Sequence, residues 1–193
     1  MNAQICKILP DYYDKFDLLC KDFFSNDKNI HNLEYVVDIL KATKDIDATI
    51  YLIGNGGSAS VAEHIAIDLT KNAGLKALAI SGSPMLTTFA NDYGYENVFG
   101  KAIEIFGKEG DVLIAISSSG SSKNILNACK EAKKKNIKII TLSGFDADNP
   151  LRSMGDVNFW VDSKAFGFLE ILHGFILHYI NDSIIGSEIY MIR

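Results

Sequence analysis

After Asp47 the chain alternates short apolar runs with longer stretches of helical spacing. No other feature constrains the fold as strongly. The runs are 48–53 (ATIYLI), 75–80 (LKALAI), 111–116 (DVLIAI), 137–142 (IKIITL) and 157–161 (VNFWV). Several are nearly all Ile, Val and Leu, as strands buried on both faces read. Between them the spacing predicts helices at 57–71, 85–106, 122–135 and 167–187. Strands alternating with helices imply βαβ units, and so an α/β three-layer αβα sandwich around a five-stranded parallel sheet. Right-handed crossovers then bring the strand C-terminal ends to one edge, where ligands bind.

Residues 1–45 carry two amphipathic helical patterns, the second built on Leu33, Val36, Val37, Ile39 and Leu40. Asn26 or Asp27 is placed to cap it. These helices are expected to pack on the sheet or on another subunit. No repeat, low-complexity tract or Pro-rich linker divides the chain, so one domain over 1–193 is expected.

Charge narrows the function. Nineteen Lys and Arg against 24 Asp and Glu give a net charge of −5. A phosphate-backbone binder shows a basic stripe instead, so no nucleic acid partner is expected. The one basic run, Lys133-Lys134-Lys135, reads as a solvated helix end. The start, MNAQICKILPDYYDKFD, lacks a basic segment followed by an apolar core. The apolar stretch 166–185 is broken by Glu170, His173, His178 and Asp182, so no membrane span is expected. Three cysteines (Cys6, Cys20, Cys129) without a CxxC pair fit a reducing, cytoplasmic setting.

Two loops look built for an anion. Gly54-Asn55-Gly56-Gly57-Ser58 follows the first strand and opens a helix. Its glycines let the backbone approach a ligand, and the helix start offers free N–H groups. Ser58 can donate a hydroxyl or cap the helix. The pattern is neither GxGxxG nor GxxxxGK[ST], so no nucleotide is indicated. A bare strand–helix turn would read the same way. The second loop, Ser117-Ser118-Ser119-Gly120-Ser121-Ser122, follows DVLIAI and carries five hydroxyls, more than one helix cap requires. A third element, Asn91-Asp92-Tyr93-Gly94, offers an Asn-Asp pair that can bond vicinal sugar hydroxyls, but as a bare pattern it reads as an ordinary polar turn.

His64 and Asp68 are i, i+4 neighbours on the helix after the first loop. Such a pair can hold a metal, shuttle a proton or simply hydrogen-bond. On the last helix Glu170 and His173 are i, i+3 neighbours, and His178 follows Glu170 by eight residues, ~12 Å along an ideal helix. His31 reads as a surface histidine.

Taken in order, GNGGSA, the helix with His64, ANDYGYENVF, GDVLIAISSSGSS, ITLSGFD and the final His-bearing helix resemble the sugar isomerase (SIS) domain family. The nearest likeness is to its phosphoheptose isomerases, over nearly the whole chain. The resemblance implies a flavodoxin-like SIS domain with an N-terminal helical extension. It also implies a phosphosugar isomerase that interconverts sedoheptulose 7-phosphate and D-glycero-D-manno-heptose 7-phosphate for lipopolysaccharide or capsule. By position, Asn55, Gly56, Gly57, Ser58, Asn91 and Asp92 match substrate-contacting segments, and Ser117, Ser118, Ser119 and Ser122 match phosphate-binding serines. His64 and His178 match metal positions, and His178 also matches the catalytic histidine.

Two positions depart from the family. Asp68 stands where the well-studied enzymes have a catalytic, metal-binding glutamate, and Glu170 where they have a glutamine. The resemblance thus implies a Zn²⁺ held by His64, Asp68, Glu170 and His178, and a homotetramer with shared sites. Asp68, Glu170 and His178 are the candidate catalytic groups, with Asp68 and Glu170 also facing substrate. An enediol mechanism needs one group to move a carbon proton, here Glu170 or Asp68, and another to serve the oxygens. A non-catalytic sugar-phosphate sensor, an initiator-binding regulator and an isomerase of another phosphosugar share the fold and stay open.

Overall fold

The computed structural model describes residues 5–82 and 84–189. Helices α1 (Ile5–Phe24) and α2 (Asp27–Asp45) precede the alternating region. There follow β1 (Ile50–Ile53), α3 (Gly57–Lys71), β2 (Ala77–Ala79), α4 (Pro84–Tyr93) and, after a 3-10 turn (Tyr95–Asn97), α5 (Val98–Phe106). Then come β3 (Val112–Ser117), α6 (Lys123–Lys134), β4 (Lys138–Ser143), a second 3-10 turn (Pro150–Ser153), β5 (Val157–Trp160) and α7 (Phe166–Ile185). All five expected strands and both N-terminal helices are present.

The sheet is parallel throughout, in the order β2-β1-β3-β4-β5. Its alternate residues feed two separate cores. Ile50, Leu52, Ile114, Ile116, Ile140, Leu142 and Phe159 face α2, α3 and α7. Tyr51, Ile53, Leu113, Ala115 and Ile139 face α5 and α6. Both faces are covered, which is why the strands lack polar alternation. The strand order reverses between β1 and β3, so the loops after these two strands flank the crevice at that reversal. They are the Gly-rich and Ser-rich loops.

Of the two candidate caps, Asn26 closes α2, accepting from the N–H groups of Lys28 and Asn29. Helix α2 packs on α7 and β5. Helix α1 joins α7 through Tyr12 and Phe16 against Phe168, with ring centroids at 4.6 and 5.5 Å. His31 is exposed, as expected.

Two expectations are corrected. The predicted 85–106 helix is broken, because Gly94 adopts φ 81°, a conformation no helix interior contains. The lysine run is not merely solvated: Lys135 donates to the carbonyls of Glu104 and Gly107, 2.5 and 2.6 Å away, and so caps the end of α5.

His173 is fully buried on α7, its Nε2 3.3 Å from the Ser143 carbonyl. That carbonyl also accepts from the Val161 N–H. Burial pushes the imidazole pKa down to about 4 from 6.5. The unfolded chain therefore binds a proton that the folded chain refuses between these values. Stability is full above pH 6.5 and falls as pH drops to 4, by about 3 kcal/mol. We expect denaturant titrations of His173→Leu to lose this part of the pH dependence, since Ser143 keeps its Val161 partner. An unchanged slope would contradict it.

Candidate active site

The Gly-rich loop is shaped by two neighbours. A Cβ at Gly54 would strike the Ser58 backbone, and Gly56 needs φ 55°. Gly57 opens α3, and a Cβ there would land on the carboxylate of Glu170. The absent side chain is what lets α7 lay Glu170 across the first turn of α3.

The Ser-rich loop is fixed by backbone bonds. Gly120 N–H donates to Ser117, and Gly144 N–H to the carbonyl of Ser118. Gly120 has φ 62°, and a Cβ there would collide with the buried Asn149 side chain. Ser122 occupies the N-cap of α6, yet its hydroxyl makes no cap bond and instead lies 3.3 Å from the Ser117 hydroxyl. The serines are not consumed in capping.

Asn55, Ser58, Ser117, Ser118, Ser119 and Ser122 line one cavity of about 110 Å³, closed by Ile116, Phe166 and Glu170. That space is well below the ~300–1,000 Å³ of pockets that enclose a whole ligand. It fits the anionic end of a molecule whose remainder lies outside. A larger groove of about 520 Å³ sits at the other end of the sheet, by Val112 and Lys138, away from these groups.

A second cluster lies further along the same helix pair. Asp68 Oδ2 is 3.4 Å from His64 Nε2 and 3.6 Å from His178 Nδ1. The imidazoles meet edge to face at 5.1 Å. Asn72 donates to Asp68 Oδ1 at 3.1 Å, which aims Oδ2 between the rings. The three ligand atoms lie within 4.8 Å of one another. Two imidazoles and a carboxylate at this spacing fit Zn²⁺, with the fourth position open.

Glu170, expected as a fourth ligand, is not in this cluster. Eight residues separate it from His178 on α7, ~12 Å along the axis. Asn91 and Asp92 are exposed in the last turn of α4, where Asn91 donates to Asp92 at 2.8 Å, and neither lines the cavity.

A family model for the SIS domain matches residues 11–144. The phosphoheptose isomerase of Sulfurimonas denitrificans is 39% identical over 190 residues, covering 95% of this chain and 96% of that protein. That of Helicobacter pylori (strain P12) is 36% identical over 182 residues, covering 87% and 94%. The chain belongs to the SIS-domain family, among its phosphoheptose isomerases. The solved structure of phosphoheptose isomerase GmhA from Neisseria gonorrhoeae superposes with a TM-score of 0.87 at 27% identity, over 95% of this chain and all of that one. The five-stranded parallel SIS fold is shared along its length.

Against that family the structure adds residues that sequence reading missed. Asn72 orients Asp68, and its i+4 spacing was the available signal. Asn124 and Tyr95 bond to Asn55 from distant segments, where no local pattern marks them. We expect Gly57→Ala to displace Glu170, because a flexible carboxylate yields more readily than backbone. Turnover should then fall at least about tenfold with little change in Tm, since the end of one half-buried side chain is all that moves. Full activity in that variant would show that Glu170's seat on α3 does not matter.

Proposed function

We propose that this protein isomerises D-sedoheptulose 7-phosphate to D-glycero-D-manno-heptose 7-phosphate through an enediol, supplying heptose for lipopolysaccharide or capsule. The relatives' shared name supports the substrate class. The observation that carries the chemistry is the Glu170 carboxylate in the wall of a serine-lined, anion-sized cavity. A non-catalytic sensor or initiator-binding regulator needs no such group.

The serine hydroxyls and the α6 N-terminus hold the phosphate. Its binding energy positions C1 and C2. Glu170 has no hydrogen-bond or ion-pair partner among the described residues, so its carboxylate is free to move the carbon proton. Asp68 accepts from Asn72 on Oδ1 and turns Oδ2 toward both imidazoles, which suits it to orient them. His178 moves the proton at the sugar oxygens. A Zn²⁺ held by His64, Asp68 and His178 would instead take over this role, polarising the carbonyl in place of proton transfer by His178.

The Glu170 carboxylate rests at Gly57, ~12 Å of helix rise from His178 and outside the His64–Asp68–His178 cluster. We therefore propose a cytoplasmic homotetramer in which one copy's Glu170 serves another's histidine cluster. Exposed Tyr13 and Leu18 on α1 and Ile171, Phe175 and Tyr179 on α7 supply apolar faces for that assembly. A single SIS domain spanning 1–193, with 1–45 as its helical extension, completes this reading. Asn91 and Asp92 contact the sugar of a neighbouring copy.

The test is NMR of the protein with sedoheptulose 7-phosphate in D₂O, with zinc and after chelation. A new heptose 7-phosphate, or deuterium entering the ketose, is the expected result. No exchange in either condition would move the substrate to another phosphosugar. Glu170→Gln and His178→Gln should each lose at least about 100-fold in kcat. Mixed as subunits, the two dead variants should regain activity at about a quarter of their sites, because each shared site draws one group from each copy. No recovery would place both groups in one chain's site.

A further inference from the structure

The Gly-rich and Ser-rich loops are joined by a reciprocal pair of carboxamides. Asn55 Nδ2 donates to Asn124 Oδ1 at 3.0 Å, and Asn124 Nδ2 donates back to Asn55 Oδ1 at 2.9 Å. Asn124 is only 3% exposed, in the first turn of α6. Its Oδ1 also accepts from the Ile125 backbone N–H at 3.0 Å. A backbone N–H is a donor under all conditions, so it fixes which end of Asn124 is oxygen. That in turn fixes Asn55, whose Oδ1 faces Asn124 Nδ2. The Tyr95 hydroxyl, 3.0 Å from the same Oδ1, must therefore donate.

An Asn carboxamide has two acceptor sites and two N–H donors. On Asn55 both acceptor sites are filled, and one N–H is spent on Asn124. One N–H is left without a partner among the described residues, on a residue that lines the serine cavity. We propose that Asn124 and Tyr95 are positioning residues that make Asn55 a donor-only group, presenting a single N–H to an acceptor oxygen of the sugar phosphate. This deepens the proposed function and rests on it for the substrate. The bond polarity itself rests only on the geometry.

Tyr95 is 55% exposed, so Tyr95→Phe should fold normally. We expect it to raise KM for sedoheptulose 7-phosphate about three- to tenfold, the range for one hydrogen bond, with kcat within about twofold. In an Asn55→Ala background the same change should add nothing, because Tyr95 acts through Asn55. Asn55→Asp, which offers acceptors to an anion, should raise KM more than Asn55→Ala. A lowered kcat at unchanged KM, full additivity, or a milder Asn55→Asp would overturn the proposal. A second readout needs no turnover: NMR of ¹⁵N-labelled side-chain amides, with Asn55 assigned by its loss in Asn55→Asp. One Asn55 proton should be protected from exchange with water and its twin open. Two equally open protons would overturn the network. If the wild type leaves the sugar unchanged while this asymmetry is seen, the substrate assignment fails and the donor polarity stands.

Discussion

The contact between Gly57 and Glu170 sets the geometry on which the rest of the site depends. With no Cβ at Gly57, the carboxylate of α7 can rest on the first turn of α3. From there the two helices run side by side in a shared four-residue step. Gly57 meets Glu170, Val61 comes within contact of Gly174, and His64 and Asp68 close around His178. Residues four apart lie on one helix face, so matching the first pair brings the later pairs into line. A bulky residue at 57 or 174 would push the helices apart and separate the histidines from Asp68.

The sheet supplies the other half of this arrangement. The chain turns one way from β1 to β2 and the other way from β3 to β5, leaving a crevice between the loops that follow β1 and β3. Helix starts with unsatisfied N–H groups converge there, as the topology of a parallel sheet requires. Serines in that position meet an electrostatic field already suited to an anion. The loop chemistry and the strand order thus act on the same point without either depending on a metal.

How far this was legible in the sequence follows the range of each interaction. The strands and most helices are local patterns, and Ile-Val-Leu runs such as DVLIAI announce burial on both faces. The two loops could be placed because each follows an apolar run directly, although glycine and serine there serve a bare turn or a cap as readily as an anion. The helix break at Gly94 was missed because a lone glycine inside an apolar periodic stretch is often tolerated. The seat of Glu170 was missed for a different reason: it depends on a glycine 113 positions earlier in the chain, and spacing along α7 alone left open whether Glu170 and His178 meet. Asn124 and Tyr95 lie 69 and 40 residues from Asn55, and no periodicity links them to it. Lys135 looked solvated because a lysine run shows its charge and not the carbonyls it finds.

The two departures from the family become one exchange when read against these contacts. A carboxylate at 68 one methylene shorter than glutamate sits close to its own helix. There Asn72 takes one oxygen, and the two imidazoles flank the other. In the proposed reaction this placement suits Asp68 to hold the imidazoles rather than to reach a carbon-bound proton. At 170, where the resemblance implies a neutral amide, stands a group able to accept a proton, in the wall of the serine cavity and without a hydrogen-bond partner among the described residues. An amide there can only hydrogen-bond, whereas a carboxylate can move a proton and return it, as enediol chemistry demands. In the proposed reaction the base has thus moved from the helix after the first loop to the helix that closes the fold. In the proposed tetramer, the separation along α7 assigns a neighbouring copy's histidine cluster as its partner.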